Sequence, residues 1–181
     1  MKLLIASDLH GSCHYFNLLY NEILYEKPNK IVLLGDLLYH GPRNDLPTDY
    51  CPKDLIKWLN NFKSRILCVR GNCDTEVDQM VLEFPIMADY AYILEDDFTI
   101  YLSHGHKYNK DNLPPMNPRD VFISGHTHIP VKEVSESGNY CLNPGSVSIP
   151  KNNSPHSYMI YENRKFKWKD LDGKEFMSLE V

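Results

Sequence analysis

Short apolar runs recur along the chain at 2–7, 30–34, 65–69, 98–103 and 121–124, each rich in isoleucine, valine and leucine. Apolar residues at consecutive positions over so few residues predict buried strands. Between the first two runs lies 13–26, where Phe16, Leu19, Ile23 and Leu24 share one face at helical spacing, with Ser12 placed to cap the start and Pro28 to stop the helix. The segment 52–62 (PKDLIKWLNNF) predicts a second helix. Its opening proline lacks an N–H where the first turn needs none, and the helix buries Leu55, Ile56, Trp58 and Leu59. The order strand, helix, strand, helix, strand implies a parallel sheet with right-handed crossovers.

After Pro85 the texture changes to apolar stretches separated by the turn signals Asp96-Asp97, Glu136-Ser137-Gly138, Asn163-Arg164 and Asp172-Gly173, which predicts a second half made mostly of β-hairpins. Two packed sheets with helices outside accommodate both halves, as a layered α/β sandwich. The connection 37–52 holds three prolines and is long, the mark of a loop that shapes a site.

Composition narrows this picture. The 181 residues, 43% hydrophobic and 24% charged, fit one globular domain. The first apolar stretch ends in a charge after five residues, too soon for a signal peptide, and no segment approaches the roughly 20 apolar residues of a membrane helix. A cytoplasmic protein is expected, with no membrane partner. A net charge of −5 with dispersed lysines and arginines argues against binding a polynucleotide, which takes its affinity from a basic face. A homo-oligomer is compatible with the sequence. Cys13, Cys51, Cys68, Cys73 and Cys141 are odd in number and form no CxxC pair, so buried thiols are expected rather than a disulfide framework or a structural zinc site.

Candidate chemistry sits just past the ends of the predicted strands. Asp8 and His10 follow the first, Gly35-Asp36 the second and Gly71-Asn72-Cys73-Asp74 the third. His104-Gly105-His106 follows the fourth and Gly125-His126-Thr127-His128 the fifth. In an α/β sheet this is where a ligand crevice forms. Two aspartates, an asparagine and several histidines suit divalent manganese, iron or zinc better than a thiolate site or a calcium cage. Seven candidates, Asp8, His10, Asp36, Asn72, His104, His126 and His128, exceed what one ion needs. Two ions sharing a carboxylate, about 3.5–4 Å apart, can activate a water and clamp a phosphoryl group.

The ordered blocks D-x-H, G-D, G-N-C-D, a lone His and G-H-x-H resemble the calcineurin-like metallophosphoesterase superfamily. The segments 40–44 (HGPRN), 104–106 (HGH) and 143–150 (NPGSVSIP) extend the similarity to its YfcE-like phosphodiesterases. The resemblance implies a four-layer α/β/β/α sandwich of two mixed sheets flanked by helices, and two divalent ions, commonly Mn2+, with Zn2+, Fe2+ or Ni2+ as alternatives. Asp8, His10, Asp36 and His128 would hold one ion and Asp36, Asn72, His104 and His126 the other, for hydrolysis of a small phosphodiester. Asp36, Asn72, Cys73 and Arg43 are the expected catalytic set. Cys73 stands where most of the superfamily has a histidine thought to assist the leaving group. Arg43 is placed to fork onto a phosphate oxygen, and His40 and His106 are further candidates for substrate contact, whereas His14 and His156 read as structural. Two alternatives stand beside the diesterase: a phosphomonoesterase, and a non-catalytic protein-binding scaffold of the same fold.

Overall fold

A computed structural model describes residues 1–181. The elements run β1 (Lys2–Ala6), α1 (Cys13–Glu26), β2 (Lys30–Leu33), α2 (Pro52–Asn60), β3 (Ile66–Cys68), α3 (Glu76–Val81), β4 (Tyr90–Leu94), β5 (Thr99–Ser103), β6 (Val121–Ile123), β7 (Pro130–Val134), β8 (Tyr140–Pro144), β9 (Ser157–Glu162), β10 (Lys165–Asp170) and β11 (Glu175–Glu180). They form two mixed sheets, one of six strands in the order β11-β10-β9-β1-β2-β3 and one of five in the order β4-β5-β6-β8-β7.

Strand alternation divides the apolar runs between two cores. Leu4, Ala6, Ile31 and Leu33 face the helices, where Phe16, Leu19 and Ile23 of α1 and Leu55 and Leu59 of α2 meet them. Leu3, Ile5 and Val32 face the other way and pack on Ile100, Leu102, Val121 and Ile123 of the second sheet. Burying each such side chain contributes about 1.5–3 kcal/mol, so strands used on both faces hold the layers together. Leu24 departs from expectation: it is 53% exposed, because α1 buries only a narrow stripe. The Ser12 hydroxyl accepts from Tyr15 N–H at 3.3 Å, so the cap is as predicted.

The predicted turns close the hairpins β4–β5, β7–β8, β9–β10 and β10–β11. Hairpins do not account for β6, which is parallel to both β5 and β8, because crossovers rather than tight turns bring these three strands together. The last hairpins return to the first sheet, where β9 lies antiparallel to β1. Helices cover the outer face of the first sheet. Over the outer face of the second, Tyr101, Phe122 and Cys141 are buried beneath the irregular connection 104–120. Helix α3, absent from the sequence reading, is short but carries a full capping box between Thr75 and Asp78. No helix is long and apolar enough to cross a membrane.

Cys68, Cys73 and Cys141 are buried thiols as expected. Cys13 and Cys51 are not: their sulfurs are paired, with Cα atoms 5.8 Å apart. The connection 37–52 doubles back so that Cys51 N–H donates to Gly11 C=O and Cys13 N–H to Asp49 C=O, both at 2.9 Å. Residues 38 apart in sequence thereby meet at the starts of α1 and α2, which spacing alone does not reveal.

Candidate metal centre

Strands β1, β2 and β3, and likewise β5 and β6, are parallel neighbours, so each set releases its chain at one edge. Because the sheets pack face to face, the two edges meet. His128 Nε2 comes within 3.3 Å of Asp8 Oδ1, and His104 Nε2 within 3.4 Å of Asp36 Oδ2. Two donor clusters result, Asp8 with His10 and His128, and Asp36 with His104 and His126. Asp36 lies between them, its Oδ2 also 3.8 Å from His10 Nε2. Asn72, on the solvent side, brings its Oδ1 to 3.1 Å from His104 Nε2. All seven predicted ligand residues are thus gathered in one place.

The chemistry of these donors fits cations. Nδ1 of His10, His104 and His128 faces the carbonyl oxygens of Tyr39, Leu34 and Ile149 at 2.7, 2.6 and 2.6 Å. A carbonyl only accepts, so in the neutral ring each Nδ1 carries the proton and each Nε2 turns a lone pair inward. Nε2 of His10 and of His128 then face each other at 3.3 Å, and the buried Asp8 Oδ1 has no hydrogen-bond partner. A cation relieves both problems. Burial alone would lower His104, but Asp36 and Asp8 raise it to about 9. Burial likewise pushes Asp8 up, and the surrounding histidines reverse this and hold it well below the usual carboxylate range.

The backbone is held in unusual conformations to achieve this. Asp8, His10, Asp36, His126 and His128 have φ of 59°, 45°, 54°, 67° and 62°, left-handed values that cost non-glycine residues energy and cluster at functional sites. Hydrogen bonds fix them. The Ser146 and Ser148 hydroxyls donate to Asp8 C=O at 3.0 and 2.9 Å. The buried Asp74 carboxylate accepts from the N–H groups of Asp36, Leu37 and Gly71 at 2.9, 2.9 and 2.7 Å. Gly71 must be glycine, since a Cβ there would collide with the Asp36 carboxylate.

Beside the clusters opens a cavity of about 400 Å³, reached by Asp36, Arg43, Asn44, Asn72, Cys73 and Lys151 among others. Arg43 is exposed and makes no ion pair. Cys73 is buried, its thiol pushed up to about 12 by burial and by the adjacent Asp36, so it is protonated near neutral pH. His40 packs edge-on against Tyr39 and Tyr50, away from the cavity lining. His106 faces a neighbouring cavity of about 270 Å³. His14 and His156 both pack on Tyr15, as structural residues do.

Four further residues serve the site: Asp74, Asn143, Thr127 and Lys151. The first three stand inside the motifs G-N-C-D, N-P-G-S-V-S-I-P and G-H-x-H, so the sequence does carry a signal for them. Asn143 Nδ2 donates to Gly125 C=O at 2.7 Å and to Thr127 Oγ1 at 3.1 Å, bracing the His126–His128 loop. Lys151 reaches the cavity only through the tertiary fold.

Two mixed sheets whose strand ends converge on paired carboxylate and imidazole clusters define a metallophosphoesterase fold. The chain belongs to the calcineurin-like phosphoesterase superfamily, whose domain matches residues 1–165. It is 44% identical to Phosphodiesterase YfcE of Escherichia coli strain K12 over 163 residues, 90% of this chain and 88% of that protein. The solved structure of YfcE, a phosphoesterase from E. coli, superposes with a TM-score of 0.96 at 41% identity, covering 100% of both chains. Zinc-bound Vps29 from Entamoeba histolytica has a TM-score of 0.59 at 21% identity over 99% of this chain and 98% of that one, a likeness of fold alone.

Proposed function

We propose that this phosphoric diester hydrolase works on a small phosphodiester through two divalent metal ions, with manganese the first choice. The observation that carries the reading is the pair of donor clusters meeting at Asp36. Asp8, His10, Asp36 and His128 would hold one ion, and Asp36, Asn72, His104 and His126 the other. When bound, such ions supply Lewis acidity toward the phosphoryl group and lower the pKa of water.

The chain's own residues do the rest. In the neutral rings the Tyr39, Leu34 and Ile149 carbonyls hold the proton of three histidines on Nδ1, so Nε2 is the atom each would turn toward a cation. Asp74 and the two serine hydroxyls hold the Asp36 and Asp8 backbones in place, so orientation is settled before substrate arrives. Arg43, unpaired at the cavity, grips a non-bridging phosphate oxygen. Cys73 stands where most of the superfamily has a histidine, and a thiol assists a leaving group less well than an imidazole near neutral pH, which favours substrates with good leaving groups.

The test is to strip the protein of metal, reconstitute it separately with Mn, Zn, Fe, Ni and Mg, and screen phosphodiesters against phosphomonoesters. Diester turnover that appears with about two ions per chain is expected. Turnover unaffected by chelation, or confined to monoesters, would overturn the proposal.

A further inference from the structure

Arg43 and Lys151 are the two permanent cations facing the cavity, and neither makes an ion pair. The one carboxylate facing it is Asp36, turned toward the donor clusters. Two divalent ions held against the carboxylates of Asp8 and Asp36 would leave the centre positive before either side chain is counted. A phosphodiester carries a single negative charge, which Arg43 and the centre already meet. Lys151 is surplus to that need.

Its placement gives the surplus charge a use. Lys151 N–H donates to His128 C=O at 3.1 Å, and its own carbonyl accepts from Ser154 N–H and the Ser154 hydroxyl at 3.0 and 2.7 Å. Asn152 and Asn153, both left-handed at φ 54° and 56°, complete the turn. The backbone is therefore strapped to the loop of a candidate ligand, while the amine stands exposed on a flexible stem.

We propose that Lys151 is a specificity-determining residue that selects phosphodiesters bearing a second anionic group, a carboxylate or a phosphate, on one of their alcohols. This rests on the phosphodiesterase reading above. A lysine suits the task, because a compact ammonium on a long stem meets a charge without demanding one geometry.

Bis(2-carboxyethyl) phosphate, bis(2-phosphonoethyl) phosphate and dipropyl phosphate, symmetrical so that either alcohol can lie toward Lys151, would compete with bis(p-nitrophenyl) phosphate on the manganese-loaded protein. A metal buffer clamps free manganese, and calorimetric titration reads binding independently of turnover. One charge-assisted contact predicts a roughly ten- to hundredfold lower Ki for the acidic diesters. Lys151→Ala and Lys151→Gln should remove most of that preference and Lys151→Arg should keep it. Lys174→Ala, which removes an exposed charge in the β10–β11 turn, should also keep it. The acidic arm that loses more identifies the group. Equal Ki values in the unaltered protein, or a preference untouched by Lys151→Ala, would overturn the assignment. If no metal supports turnover of bis(p-nitrophenyl) phosphate, the phosphodiesterase reading fails, and the calorimetric preference still judges Lys151.

Discussion

Replacing Asp36 separates the two jobs its carboxylate performs. The residue is 2% exposed. Oδ1 accepts from the Cys73 N–H at 2.8 Å, while Oδ2 faces both donor clusters. Asp36→Asn keeps the shape and the Oδ1 acceptor but removes the charge the ions would share. Asp36→Ala removes both, leaving the buried Cys73 N–H unpaired at a cost of about 1–3 kcal/mol. For a chain of this length each kcal/mol moves Tm by about 2–4 °C. In chelator, the alanine variant should therefore melt about 2–12 °C below the asparagine variant. Metal binding and turnover should fall together in both. Altering a mere partner of a metal ligand costs about 10–100-fold, so the loss of a shared ligand should exceed about a hundredfold in kcat/KM. Metal analysis of purified variants, steady-state kinetics and melting curves check the three parts. An asparagine variant that keeps two ions per chain with near-normal turnover would refute the shared-carboxylate arrangement.

Cys73→His introduces a proton donor for poor leaving groups, so activity on an alkyl phosphodiester should rise more than on a nitrophenyl one. Equal changes would show that position 73 has no leaving-group role. Arg43→Ala should leave metal content and folding intact and lower kcat/KM roughly ten- to hundredfold, the loss of one charge-assisted contact of about 1.5–3 kcal/mol. Arg43→Lys should recover only part, because an ammonium cannot fork, and unchanged efficiency in the alanine variant would return Arg43 to solvent. Burial opposes ionisation of Glu26, whose side chain is 9% exposed, yet Lys169 and Lys2 lower its pKa below the ordinary 4.5. A depressed folded value contributes stability that is present above pH 4.5 and lost as the pH falls through the folded value. Glu26→Gln should thus cost about 1–3 kcal/mol in urea unfolding at neutral pH and progressively less below about pH 4. A difference constant with pH would refute the ion-pair account.

The sequence determined the periodic parts of this protein. Consecutive apolar residues at 2–7 and 30–34 gave strands because both faces of those strands are buried, and Ser12 and Pro28 bounded α1 through local backbone chemistry. The ligand set was legible for the same reason: residues just past a strand end gather wherever parallel strands share an edge. Tertiary structure decided what depends on partners far away in the chain. It placed β6 parallel between β5 and β8, left Leu24 in solvent although its spacing suited the core, and brought Cys51 to Cys13. The left-handed backbone at Asp8, Asp36 and His128 belongs here too: aspartate and histidine tolerate it better than most residues, but hydrogen bonds from Ser146 and Ser148 to Asp8, from Asp36 to Asp74 and from Lys151 to His128 hold it in place. Lys151 gave no local signal, because a lysine after a proline reads as solvated surface until the turn at 151–154 carries it to the cavity beside Arg43.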